Sequence, residues 1–198
     1  MKAHIVIAHP DQNSFNHEIL QRVTSSLEKQ NISYRVRDLY TMGFQPVFTA
    51  EDMAGVENNR VSSDIEEEQQ QITDADLLVM VYPIWWWSQP AILKGYIDRV
   101  FTDGFAFEYK ADGPVGLLQG KHAVVFTTTR ESAEEMRAKG FDELIKKQIV
   151  DGTLSFVGFE NVVHVNFAEV PYVSDERRKE MLNQVEQTMM SLRLPAGV

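Results

Sequence analysis

Five short β-rich apolar runs alternate along this chain with five segments of helical periodicity. Ala3–Ala8, Ser33–Leu39, Asp76–Tyr82, Lys121–Thr128 and Asn161–Phe167 read as strands. The first and third carry apolar residues on both faces, the mark of a strand buried from both sides. Between them the apolar spacing turns helical. Ile19, Leu20, Val23 and Leu27 form one stripe after Phe15, and Ile92, Leu93, Tyr96, Ile97, Val100 and Phe101 another within Ser88–Phe101. Asp64–Ile72, Ala133–Val150 and Ser174–Leu194 complete the helices, the last with Ser174 as its N-cap. Strand–helix alternation requires a parallel sheet covered on both faces, and right-handed crossovers leave few ways to wind it. The expected fold is α/β: a single domain over residues 1–198, with a doubly wound five-stranded parallel sheet in the order 2-1-3-4-5.

Such sheets bind ligands at the carboxyl ends of the strands, near the switch in winding direction. Three loops are therefore the ones to inspect. After the first strand, His9-Pro10-Asp11-Gln12-Asn13-Ser14-Phe15-Asn16 opens a helix. Its free amides, with Ser14 and Asn16 beside them, suit an anion such as phosphate; plain helix capping by Asn13 or Ser14 is the alternative. The segment has no glycine, so it is neither a Walker loop nor a dinucleotide fingerprint. After the third strand, Pro83-Ile84-Trp85-Trp86-Trp87-Ser88-Gln89-Pro90 places three indoles in a row. They cannot all face one core, so some line a pocket for a flat ring or anchor an interface. After the fourth strand, Thr127-Thr128-Thr129-Arg130 offers donors and a cation, or caps the next helix.

Composition narrows the chemistry. The chain has no cysteine, which excludes disulfides, thiol nucleophiles and thiolate metal sites. A formal charge of −10 disfavours nucleic acid as a partner. The longest apolar run, Leu77–Trp87, is too short to cross a membrane, and the N-terminus has no signal-peptide pattern. A cytoplasmic location is expected. No serine elbow, zinc-protease motif or other metal-ligand spacing is present. His4, His122 and His164 fall inside strands as structural residues, whereas His9 ends one. The long segment Thr41–Asp64 reads as an irregular loop.

Several motifs resemble one known family. His9-Pro10 followed by Ser14-Phe15-Asn16, the stretch Leu39-Tyr40-Thr41-Met42 with Phe44 and Pro46, and Pro83-Ile84 through Pro90-Ala91-Ile92-Leu93-Lys94-Gly95 to Phe101 are similar to the NAD(P)H:quinone oxidoreductases of flavodoxin-like fold. Gly104-Phe105-Ala106-Phe107 with Tyr109 continues the likeness. The resemblance implies a flavin, FAD or FMN, and NAD(P)H as hydride donor. It implies that His9, Ser14, Phe15 and Asn16 hold the phosphate and any adenine side, that Gln69 lies near the diphosphate or ribose, that Pro83, Ile84, Trp85 and Trp86 contact the ring, and that Thr127, Thr128, Thr129 and Arg130 meet its pyrimidine edge. Trp87, Phe107 and Tyr109 match pocket walls, in a homodimer whose Phe107 and Tyr109 reach the neighbouring flavin. The implied reaction is ping-pong hydride transfer through flavin N5 to a quinone or similar flat electrophile, with no catalytic side chain and no metal. Binding to a potassium efflux system as an ancillary subunit is the alternative role, and a one-electron carrier a third. The chain departs from the family in three places. Thr129-Arg130 replaces a glycine pair, Trp85 replaces a glutamine, and the family's downstream tyrosine and histidine have no clear match between Glu131 and Phe141.

Overall fold

The computed structural model describes residues 1–58 and 60–192. Its elements, in chain order, begin with strand β1 (Lys2–Ile7), helix α1 (Phe15–Lys29), β2 (Ser33–Asp38), α2 (Ala50–Glu57), α3 (Ser63–Asp74), β3 (Leu77–Pro83) and α4 (Ala91–Val100). Then come a hairpin of β4 (Phe107–Lys110) and β5 (Gly113–Gly116), strand β6 (His122–Thr128), helices α5 (Ala133–Ala138) and α6 (Phe141–Lys146), a π-helical turn (Lys147–Ser155), β7 (Glu160–Phe167) and α7 (Asp175–Ser191). The five parallel strands lie in the order β2-β1-β3-β6-β7. This is the 2-1-3-4-5 winding expected, the hairpin being the two extra strands. The final segment of the expected helix and domain, residues 193–198, lies outside the described residues.

Each face of the sheet has its own core. Ile5, Ile7, Val79, Val81, Val124 and Phe126 pack against α1 and α7. Val6, Met80, Tyr82 and Val125 pack against α3, α4 and the π-helical segment. Alternating side chains of the same strands feed both layers, which is why these strands are apolar throughout. Gly95 sits mid-helix in α4 because Pro46 passes over it: a β-carbon there would meet the Pro46 carbonyl oxygen at 2.0 Å. None of the described helices is long and apolar enough to cross a membrane.

Three expectations need correction. Thr41–Asp64 is not all loop: Thr49 and Asp52 form a reciprocal capping box that starts α2. The helix expected over Ala133–Val150 breaks at Gly140, whose φ of +73° is the left-handed conformation glycine adopts without penalty. The helix expected from Ser88 begins only at Ala91, because Trp85–Ser88 is a closed turn.

A buried polar cluster ties β1 and β2 to α3 and α4. Arg37 pairs with the Glu68 carboxylate. The Tyr96 hydroxyl donates to Glu68 Oε2 at 3.0 Å and lies 2.9 Å from His4 Nε2. Burial pushes His4 down to about 3, assisted by Arg37 and Arg35, so the ring is neutral near pH 7. Burial also lifts Glu68 above the ordinary carboxylate range, against the pull of Arg37 and Tyr96. The folded state thus binds the Glu68 proton more tightly than the unfolded chain. That contribution to stability is complete below the ordinary carboxylate value and is lost as pH rises through the raised one. Glu68→Gln is expected to remove this fall, so that the variant's stability changes less with pH than the parent's. Urea unfolding at a series of pH values checks it, and an unchanged slope would contradict it.

Candidate functional site

At the carboxyl ends of β1, β3 and β6 the chain forms a cleft of about 220 Å³. It is walled by His9, Ser14, Phe15 and Asn16 from the first loop, Pro83, Ile84 and Trp85 from the second, and Thr128, Thr129 and Arg130 from the third. Val170 and Pro171, from the loop after β7, close it. The sequence reading missed these two. The amide of Val170 donates to the Thr129 carbonyl at 3.2 Å and so ties the fourth loop to the third.

Asn16 is 3% exposed. Its Nδ2 donates to Thr128 Oγ1 at 3.1 Å, while its Oδ1 has no partner although buried. A buried acceptor left unpaired in a cleft wall costs roughly 1–3 kcal/mol unless a ligand completes it. Beside it the α1 N-terminus presents the first-turn amides that a helix leaves unpaired. Ser14 caps that helix, and its hydroxyl lies 3.0 Å from His17 Nδ1. His17 Nε2 in turn reaches Asp38 at 3.4 Å. Burial alone would raise Asp38, but bonds accepted from Gln12, Thr41 and His17 hold it below the ordinary range. This brace of Ser14, His17 and Asp38 fixes the helix start and occupies the Ser14 hydroxyl. The i, i+3 spacing of Ser14 and His17 is the signal that could have shown it. Beyond Ser14 a second, polar cavity of about 550 Å³ is lined by Gln12, Asn13, His17, Glu18, Gln21 and Arg22.

His9 is half-buried, with Nδ1 3.1 Å from the Asp11 amide. Burial holds its pKa below the ordinary value. The neutral ring that accepts the amide proton at Nδ1 carries its own hydrogen on Nε2. Arg130 lays its guanidinium over the Tyr172 ring at 5.6 Å and donates to that hydroxyl at 3.0 Å.

The tryptophans divide. Trp85 lines the cleft, with its ring centroid 6.4 Å from that of His9. Trp86 is 96% exposed. Trp87 stacks on Phe141 of α6 with centroids 3.6 Å apart and planes 6° from parallel. Trp85 and Ser88 exchange backbone bonds of 2.9 and 3.1 Å, closing a two-residue turn with φ of +53° at Trp86 and +61° at Trp87. Asn and Gly normally fill such positions, since left-handed backbone costs a bulky residue roughly 1–2 kcal/mol. Trp86→Gly is accordingly expected to raise the unfolding free energy by about 1 kcal/mol. Chemical denaturation checks this; a loss would mean that the Trp86 ring stabilises the fold.

Like Trp86 and Trp87, four more expected site residues do not line the cleft of their own chain. Gln69 on α3 spends its amide on the Val100 carbonyl and Thr102 Oγ1, both at 3.0 Å, away from the cleft. Thr127 points into the sheet, its Oγ1 2.8 Å from His164 Nε2 and 2.9 Å from Asn166 Oδ1. Strand alternation puts Thr127 and Thr129 on one face and Thr128 on the other, a division a loop reading cannot make. Phe107 packs on Tyr109 and Phe156 in the hairpin, and Tyr109 is largely exposed, so neither touches the cleft of its own chain. Among the described residues no group of His, Asp or Glu is placed to hold a metal. Two larger cavities lie off the strand carboxyl ends, one beside the amino ends of β1 and β2, the other under α2.

The profile of a family described as having a flavodoxin-like fold matches residues 1–189. An uncharacterized NAD(P)H oxidoreductase of Haemophilus influenzae is 34% identical over 92% of this chain and 91% of its own length. The human ribosyldihydronicotinamide dehydrogenase [quinone] is 33% identical over 96% of this chain and 91% of its own. Among solved structures, an NAD(P)H:quinone oxidoreductase from Methanothermobacter marburgensis superposes with a TM-score of 0.89 at 29% identity, over 100% of this chain and 99% of that one. With the winding of the sheet and the cleft at its switch point, these likenesses make the chain an oxidoreductase, a member of the flavodoxin-like family to which the NAD(P)H:quinone oxidoreductases belong.

Proposed function

We propose that the protein is a flavoenzyme that passes electrons from NAD(P)H to a quinone or similar flat acceptor. The observation that carries this reading is the cleft, where three switch-point loops bring an indole, unpaired helix amides and the orphaned Asn16 Oδ1 together. Those groups fit a flavin: a flat face for its ring, a helix start for its phosphate and an acceptor for one of its N–H or O–H groups. The polar cavity beyond Ser14 has room for the rest of the cofactor. The names of relatives in human and Methanothermobacter marburgensis support the quinone acceptor and NAD(P)H.

In this reading a bound flavin supplies the redox chemistry, ping-pong, by accepting a hydride and releasing electrons to the second substrate. The chain's own residues orient and insulate. Phe15 and Asn16 hold the phosphate side through their backbone. Pro83, Ile84 and Trp85 flank the ring. Thr128, Thr129 and Arg130 present donors and positive charge to its pyrimidine edge, where negative charge develops. Exposed Trp86 and the Trp87–Phe141 stack form an apolar wall beside the entrance for flat substrates. A second copy of the chain would bring half-buried Phe107 and exposed Tyr109, both on the hairpin, toward this entrance.

The test is to purify the protein, release its chromophore by heat and identify it by mass. FMN or FAD at about one per chain, with flavin-dependent NAD(P)H oxidation that quickens on adding a quinone, is expected. A colourless protein that neither flavin reconstitutes would refute the reading.

A further inference from the structure

Thr127, His164, Asn166 and Thr129 form a hydrogen-bonded chain that ends at a residue of the cleft wall. Asn166 Oδ1 lies 2.9 Å from Thr127 Oγ1, and its Nδ2 donates to Thr129 Oγ1 at 3.1 Å. The same Nδ2 has the Met136 thioether at 3.9 Å, an acceptor that favours the amino group on this side. With the amide so oriented, every other hydrogen is assigned. The Thr127 hydroxyl donates to Asn166 Oδ1. Thr127 Oγ1 then accepts from His164 Nε2, 2.8 Å away. Burial holds the His164 pKa down near 4, so the ring near pH 7 is neutral with one hydrogen to give. At the far end Thr129 accepts from Asn166, and its own hydrogen is directed away from the amide. Thr129 is a cleft-wall residue, 3% exposed.

We infer that Asn166 is a positioning residue that turns the Thr129 hydroxyl into a hydrogen-bond donor aimed at the cleft ligand. This rests on the flavin reading above. It extends that reading to side chains that no backbone contact of the third loop would need. A β-branched residue beside a ligand is expensive where glycine would allow closer approach. A fixed hydroxyl donor is the compensation. A donor already oriented in the free protein stabilises charge that appears on reduction without reorganising. The opposite amide orientation reverses the whole chain. Thr129 would then donate to Asn166 and offer the cleft a lone pair, which disfavours the reduced cofactor.

The two polarities predict opposite signs. The reduction potential of the flavin-reconstituted protein is measured for the parent, Thr129→Val, Thr129→Ser, Asn166→Ala and the Thr129→Val/Asn166→Ala double variant. All are uncharged replacements. Thr129→Val is expected to shift the equilibrium toward oxidised flavin about tenfold, a fall of about 30 mV for a two-electron couple. Thr129→Ser restores the parent value. Asn166→Ala lowers the potential in the parent but adds nothing in the Thr129→Val background, since both act through one hydroxyl. Near-ultraviolet circular dichroism identifies any variant that has lost its packing. Thr129→Ser and Thr129→Val, smaller changes than Asn166→Ala, then decide the sign alone. A rise in potential for Thr129→Val, or no change, overturns the inference while leaving the flavin reading intact. An Asn166→Ala effect of equal size in both backgrounds overturns the role of Asn166. Failure of the parent to bind either flavin refutes the underlying reading and this inference together.

Discussion

Replacing Arg99 by methionine is expected to cost about 2–3 kcal/mol of stability, below the range for breaking a fully buried ion pair because Asp64 is half in solvent. Arg99 is 8% exposed on α4. Its guanidinium donates to Asp52 Oδ1, Asp64 Oδ2 and the Gln45 carbonyl at 3.0 Å each, and to Ser62 Oγ at 3.2 Å. It also lies over the Phe44 ring, 5.7 Å from its centroid. One side chain thus fastens both ends of the excursion between β2 and α3 to the core. Methionine keeps much of the volume and removes every donor. For a chain of this length the loss corresponds to a fall in Tm of about 5–10 °C, read by thermal unfolding. The difference should narrow in acid. Burial alone would raise Asp52 and Asp64, but Arg99, with Thr49 and Ser62 respectively, holds both below the ordinary value. Stability from a depressed carboxylate is present above its unfolded value and lost as pH falls through the folded one. Parent and variant should therefore begin to converge as pH falls below the ordinary aspartate value of about 3.9, and meet only below the depressed folded values. A Tm within one degree of the parent at pH 7 would show that the excursion is held by other contacts.

Asn16→Leu is expected to separate binding from folding. The buried Oδ1 has no partner in the protein, so removing it relieves an unpaired group. Leucine nearly matches the volume, and the one bond lost is that to Thr128 Oγ1. Unfolding free energy should change by less than about 1 kcal/mol, in either direction. Flavin affinity should fall about 10- to 100-fold, the equivalent of one or two tenfold steps at 1.4 kcal/mol each. Equilibrium denaturation of the flavin-free protein and a fluorescence titration with flavin measure the two separately. A destabilised variant with unaltered flavin affinity would make Asn16 a packing residue.

The sheet was legible because its inner strands are buried from both sides. Ile5 to Ala8, Leu77 to Tyr82 and Ala123 to Phe126 are all closed to solvent, and continuous apolar runs are what such burial demands. Helix α2 escaped because it buries none of its residues, so no stripe marks it; only its Thr49–Asp52 box does. The hairpin escaped because Gly113-Pro114-Val115-Gly116 lacks the alternation of a strand. Within the site, the loops were readable from the topology, but the direction of each side chain was not. Thr127 and Thr129 share a face but diverge in role because Thr127 lies within β6, bonded to His164 and Asn166, and Thr129 lies just past its end, at the cleft wall. The left-handed turn at Trp86 and Trp87 defies the usual preference for Gly and Asn, so propensity could not have found it. Asn166 and His164 sit on β7 among ordinary strand residues, and only the pairing of β6 with β7 shows what they touch.

The proposed activity requires a flavin at the carboxyl ends of β1, β3 and β6. A crystal structure of the protein reconstituted with FMN or FAD tests this most directly. The predicted result is a ring seated beside Trp85 and Thr129, with its phosphate at the start of α1. Density for the cofactor beside the amino ends of β1 and β2, or in the cavity under α2, would contradict it.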